Sequence, residues 1–200
     1  MACQVRWSDL DDLAVGPSDE AHLERLRAAG WTVISTNLTL EHRPEWNLWH
    51  SFREFVQNAL DETGAVDVRV VRDGDRVMTL VSDEGKGFGV RGLLLAAEKG
   101  RTEEERHCLR GRYGEGLKIA VLPVLRAGGR VFVRTAGMDA SWQVAPLPGE
   151  EELVLYTLKR RNTIAQGTCA VIEGLDAESY VVPGGSPKPQ DLRLRIAPLL

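Results

Sequence analysis

Two hundred residues, 43% of them hydrophobic and 27% charged, suit one soluble globular domain with a substantial buried core plus short tails. A net charge of -4 and a pI near 5.6 exclude a global electrostatic pull toward nucleic acid or an anionic membrane surface. Cys3, Cys108 and Cys169 are odd in number and widely separated, which argues against a disulfide framework or a zinc site and suits a reducing cytoplasm.

Along the chain, Leu23 and Leu26 recur at helical spacing after Pro17 and Ser18, and Gly30 closes that short amphipathic helix as a C-terminal cap. Residues 31–40 are rich in β-branched side chains and read as a strand, with a turn around Pro44. From about 45 to 63, Trp49, Phe52, Val56 and Ala59 mark one face of a longer helix that Gly64 ends. Two strands follow, 66–71 and 76–81, joined by the hairpin signal Asp73, Gly74, Asp75. An apolar helical piece, 93–97, then gives way to the charged stretch 99–107, which reads as a mobile loop. A buried helix is expected over 116–125, then strands over 130–135, 153–158 and 168–172, and a Pro/Gly/Ser linker over 183–189. The basic run Lys159, Arg160, Arg161 reads as a solvated strand end, and the four histidines are scattered without metal-like spacing. The amino terminus lacks an apolar run of signal-peptide length, and Pro123 interrupts the longest apolar run, 119–125; no membrane span or anchor is expected.

Three motifs carry chemistry. Glu54, Asn58 and Asp61 fall at i, i+4 and i+7, on the helix side opposite the apolar stripe. A carboxylate one turn from a carboxamide can hold an attacking water beside magnesium, a cation that prefers oxygen ligands and keeps several waters. Next, Asp83 leaves a strand into a turn with Gly85, Gly87 and Gly89, where the backbone can approach a flat ligand and the carboxylate can accept a bond from an exocyclic amine. The third, Gly111, Arg112, Tyr113, Gly114, Glu115, Gly116, Leu117 and Lys118, opens a helix whose free N–H groups and positive dipole end can bind phosphate. It lacks the Walker spacing, and no strand immediately precedes it. Thr168, opening a strand after Gly167, is a minor fourth element. Each motif alone has an ordinary structural explanation: a solvated helix face, a capped turn, a glycine-rich helix start.

In this order the motifs resemble the GHKL or Bergerat-fold family, which includes type II topoisomerases, heat-shock chaperones, mismatch-repair ATPases, MORC ATPases and sensor histidine kinases. The resemblance spans about 49–174; the stretch 54–61 looks like the family's N box, 83–87 its adenine-binding D-x-G-x-G box, 111–116 its lid-end glycine box and Thr168 its final threonine. The glycine box is most similar to the topoisomerase VI and MORC branches.

The resemblance implies an α+β fold, a two-layer α/β sandwich of the Bergerat type with a mixed, mostly antiparallel sheet and helices on one face. It divides the chain into an N-terminal extension (1–45), an ATP-binding core (46–180) and a linker with tail (181–200). It implies that ATP and magnesium are the ligands, with Glu54 as general base and Asn58 as magnesium ligand. Asp83 would read adenine, Asp61 support the nucleotide or the Asp83 turn, and Gly85 and Gly87 make room for the base. Gly111, Gly114 and Gly116 would wrap the phosphates, with Arg112, Tyr113, Glu115 and Leu117 in the same box. Lys118 would add positive charge near the terminal phosphate, and Thr168 would complete a water network around Asp83. The stretch from about 99 to 110 would be a lid. Topoisomerases and mismatch-repair ATPases add a lysine from a following transducer domain that these 200 residues do not include. The expectation is therefore slow hydrolysis alone, or hydrolysis as a homodimer or with a larger protein partner; DNA is a possible client that net charge does not indicate. Two alternatives stay open, a nucleotide-controlled binding module without significant turnover and a protein kinase of the anti-sigma or histidine-kinase type.

Overall fold

The computed structural model describes residues 5–63, 65–89, 116–147 and 149–180. A short helix α1 (Ser8–Asp11) precedes α2 (Glu20–Ala28), which Asp19 caps by accepting the His22 N–H at 2.7 Å. Gly30, at φ 87°, ends α2; its N–H donates to the Arg27 carbonyl at 3.0 Å while Trp31 N–H reaches Leu26, the hydrogen-bond pair of a Schellman turn. Strand β1 (Thr32–Thr39) leads to α3 (Leu48–Thr63). That helix begins later than the periodicity predicts, because Asn47 Oδ1 caps it, accepting the Trp49 and His50 N–H groups at 3.0 and 3.4 Å.

The hairpin β2 (Asp67–Asp73) and β3 (Arg76–Asp83) closes where Asp73, Gly74, Asp75 predict it. Helix α4 (Gly116–Arg126) runs through Pro123 and ends in a second Schellman turn, with Gly129 N–H donating to Val124 at 2.9 Å. Strands β4 (Arg130–Thr135), β5 (Met138–Pro146), β6 (Leu153–Arg161) and β7 (Thr168–Glu173) follow, then a 3-10 turn, Ala177–Tyr180.

The seven strands form one sheet in the order β1-β6-β5-β4-β7-β3-β2, and every pairing among the described residues is antiparallel. The architecture is thus α+β with a mostly antiparallel sheet, as expected. Period-two alternation assigns each strand's side chains to two faces. Val131, Val133, Ala140, Trp142, Leu155, Ala170 and Ile172 pack under α3 and α4, while Phe132, Tyr156, Leu158 and Val171 pack with Leu10, Leu23 and Leu26 of α1 and α2.

Two expectations need correction. Helices do not lie on one face only: α3 and α4 share one, but α1 and α2 cover the other, because the inward residues of β4, β6 and β7 alternate apolar on both sides and each side must be shielded from water. Cys169 is disulfide-bonded, against the expectation drawn from cysteine spacing, since separation along the chain does not limit approach in space. Cys3 and Cys108 lie outside the described residues. Among the described residues, no helix is long and apolar enough to cross a membrane.

Candidate active site

Helix α3 presents Glu54, Asn58 and Asp61 on one side while burying Phe52, Phe55, Val56 and Ala59 on the other. The Asn58 Nδ2 donates to the Glu54 carbonyl at 2.8 Å, which fixes the carboxamide against its own helix and leaves Oδ1 as the atom for an outside partner. Glu54 itself is nearly buried. Its Oε1 accepts two bonds from Arg53, from Nη2 at 2.6 Å and Nε at 3.2 Å, and the two side chains are only 11% and 13% exposed. Its Oε2 faces Gly116, the first residue of α4, so closely that a Cβ there would overlap the carboxylate. The N-box carboxylate and the start of the glycine-box helix are therefore neighbours in space, across sixty residues of sequence.

The second cluster forms at one end of the sheet. Asp83, Thr168 and Thr135 lie in a single cross-strand row, Thr168 pairing with Asp83 of β3 on one side and with Thr135 of β4 on the other. Asp83 Oδ1 accepts the Gly85 N–H at 2.8 Å, an Asx turn that bends the chain out of the sheet. Three bonds tie this turn down: Gly167 N–H to the Gly85 carbonyl at 2.8 Å, Gln166 Nε2 to the Glu84 carbonyl at 2.7 Å, and Phe88 N–H to Thr135 Oγ1 at 3.1 Å. Thr135 and Thr168 hydroxyls are 3.1 Å apart.

The glycines of the turn are required by crowding. A Cβ on Gly85 would come within 2.9 Å of Asp83 Oδ1 and of the Glu62 side chain near the end of α3, and Gly87, at φ 74°, would press a Cβ into Thr135. The turn thus packs against the same helix that carries Glu54 and Asn58, and the helix joins the two clusters.

Of the predicted site residues, Glu54, Asn58 and Asp61 share α3, Gly116, Leu117 and Lys118 open α4, and Asp83, Gly85, Gly87 and Thr168 meet at the sheet end. Lys118 is 2% exposed, so its ammonium is held inside the structure and does not project into solvent. Gly111, Arg112, Tyr113, Gly114, Glu115 and the predicted lid lie outside the described residues.

Sequence reasoning passed over three residues. Thr135, fully buried, anchors the glycine turn, yet nothing local marks it because its partner Phe88 is 47 positions away. Arg53 carries no motif. Gln57, beside Asn58, is 5% exposed with an Oε1 that has no hydrogen-bond partner among the described residues, an uncommon state for a buried carbonyl.

Around Arg53 sits an aromatic shelf. Trp46 stacks on His50 at 5.5 Å, and the Arg53 guanidinium lies 5.7 Å from the Trp46 ring. Burial, followed by the charge of Arg53, holds the His50 imidazole below its ordinary value of 6.5, so the stacked ring is neutral at pH 7. Among the described residues no group of three or more His, Cys, Asp or Glu is gathered to hold a metal ion. A cation at this site would draw one ligand from Asn58 and the remainder from a bound ligand and water, as magnesium does. No protein-family model and no curated protein matches the chain, so the geometry carries the functional reading.

Proposed function

We propose that this chain is an ATP-binding domain of the Bergerat type, a member of the GHKL family, which hydrolyses ATP to ADP and phosphate with magnesium. It works slowly alone, and lid closure is coupled to homodimerisation or to binding a larger partner. The observation that carries the reading is the contact of Glu54 with Gly116, which puts a carboxylate at a helix N-terminus with no side chain between them. Such a helix end favours phosphate through its free N–H groups and dipole.

In this reading the triphosphate lies across the start of α4, with Glu54 Oε2 beside the water that attacks the terminal phosphate. Asn58 Oδ1 would be a ligand for magnesium, which would supply positive charge against the phosphates. Adenine would lie against the turn that holds Gly85 and Gly87 and donate its amine to Asp83; the cross-strand row and the bonded turn fix that carboxylate before a ligand arrives. Phosphoryl transfer depends chiefly on such positioning and charge neutralisation.

A phosphate-release assay with and without magnesium, on the parent and on Glu54→Ala, tests it. The substitution should lower hydrolysis at least tenfold, roughly 1.4 kcal/mol of barrier, while ATP affinity stays near that of the parent. Equal hydrolysis in the two proteins refutes the assignment of Glu54. The Arg53–Glu54 pair favours a second reading, because it already engages one oxygen of the carboxylate: a nucleotide-controlled binding module, which would bind ATP in this assay and release no phosphate above background.

A further inference from the structure

We infer that Arg53 is a positioning residue for Glu54, held in place by a loop that the last residue of α4 clamps. The inference rests on the hydrolase reading and deepens it. A glutamate side chain on a helix has several rotamers, and the one present aims Oε2 at Gly116. Arg53 selects that one: Nη2 and Nε both donate to Oε1, so the carboxylate is gripped by one oxygen and the other is left toward the start of α4. Two donors in a fixed fork define a plane and a direction, which a single ammonium does not.

Arg53 precedes Glu54 directly, and neighbouring residues on a helix do not face each other. The pair therefore forms only if something turns the guanidinium back toward the site. Trp46 does so, lying against the guanidinium 5.7 Å from its ring centroid, with His50 stacked on the same indole. Trp46 is in turn fixed by its loop. Its N–H donates to the Arg43 carbonyl at 3.0 Å, and Arg43 adopts φ 54°, a left-handed conformation that a non-glycine residue keeps only when its surroundings impose it.

What imposes it is Arg126, the last residue of α4, whose Nη2 donates to the Arg43 carbonyl at 3.1 Å and Nη1 to Pro44 at 3.2 Å. The circuit is closed: the first residue of α4 abuts Glu54, and its last residue clamps the loop that holds Arg53 on Glu54. Any displacement of α4 thus acts on the carboxylate from both sides.

The test uses the full chain with Arg53→Met, Arg53→Lys and Trp46→Leu, measuring kcat and KM for phosphate release from magnesium ATP, ATP affinity, and thermal unfolding. Arg53→Met should lower kcat about tenfold with KM within about threefold of the parent, roughly 1.4 kcal/mol appearing in the barrier alone. Arg53→Lys should restore part of the loss, and Trp46→Leu, which leaves every site atom in place, should lower kcat about threefold at unchanged ATP affinity. The inference is overturned if Arg53→Met leaves kcat unchanged or raises it, if KM rises in step with the loss, or if kcat falls only in proportion to the fraction unfolded while Trp46→Leu is silent. A parent that releases no phosphate refutes the hydrolase reading itself, and the positioning role with it.

Discussion

The two faces of the sheet solve the same burial problem with different chemistry. Under α3 and α4 the core is chiefly apolar, built on Phe52, Trp142, Leu155 and Ile172, and Glu54, Asn58 and Asp61 lie in one strip at its edge. Under α1 and α2 the charges are paired with each other. Arg130 is bonded to Glu173 and to the Leu10 and Leu13 carbonyls at 2.8 and 3.2 Å, and Arg76 joins Glu173 at 2.9 Å to Asp11 at 3.1 Å. Beside them Asp139 accepts bonds from Arg134, Arg160 and Asn162, and Arg134 also reaches Asp9. On that face the charged side chains are engaged with one another and with backbone carbonyls. The α3 face carries Asn58 Oδ1 and the contact of Glu54 with the first residue of α4, and the site is assigned to it for that reason.

If the α3 face supplies the packing energy, its central aromatic should be the most costly residue to remove. Phe52 is fully buried, with Trp49 at 6.0 Å and Tyr180 at 6.1 Å. Phe52→Ala should destabilise the protein by about 3–5 kcal/mol, from lost transfer energy plus an unfilled cavity, a large share of the roughly 5–15 kcal/mol typical of a domain. Urea unfolding measures it; a loss below about 1 kcal/mol would mean that this face is loosely packed and the contrast is wrong.

On the other face the expected effects are smaller and depend on pH. Burial opposes ionisation of Glu173, but the hydrogen bonds and charges of Arg130 and Arg76 outweigh it and hold the carboxyl below its ordinary value of 4.5. A carboxyl depressed in the folded state binds protons more tightly when unfolded. Its contribution is therefore present above pH 4.5 and is lost as pH falls through the lower folded value. Glu173→Gln should cost about 1–3 kcal/mol at pH 7 and flatten that part of the acid limb. An acid limb of unchanged slope in the variant would show that the Arg130–Glu173–Arg76 contact is not what ties α1 to the sheet.

This contrast also sets what was legible beforehand. The hairpin, α3 and α4 follow from apolar periodicity and from the turn at Asp73, Gly74, Asp75, signals that are local. Strand β5 was overlooked, although Met138, Ala140, Trp142 and Val144 alternate along it. Its intervening residues, Asp139, Ser141 and Gln143, look like solvent-facing polar positions but are buried, each bonded from another element, as when Ser18 Oγ donates to Gln143 Oε1 at 2.8 Å. Helix α1 is a single turn, too short to show a period. The site divides in the same way. Glu54, Asp83 and Gly85 stand in short motifs, whereas Thr135 and Arg53 act through partners that the fold supplies, a turn from another strand and a tryptophan on a clamped loop.

The finest test of the comparison separates stability from function on the ligand-facing side. Gly116 has no side chain, and a Cβ there would meet the far end of the Glu54 side chain, with no backbone in its way. The cheapest relief is for the carboxylate to swing aside, and alanine at a helix start carries little intrinsic penalty. Gly116→Ala should therefore change unfolding stability by less than about 1 kcal/mol while lowering ATP turnover about tenfold. Equilibrium unfolding and phosphate release on the same preparation read both quantities. If stability falls by several kcal/mol and turnover only follows the folded fraction, the Glu54–Gly116 contact is a packing constraint like those beneath the opposite face, and the carboxylate loses its claim to be aimed at a ligand.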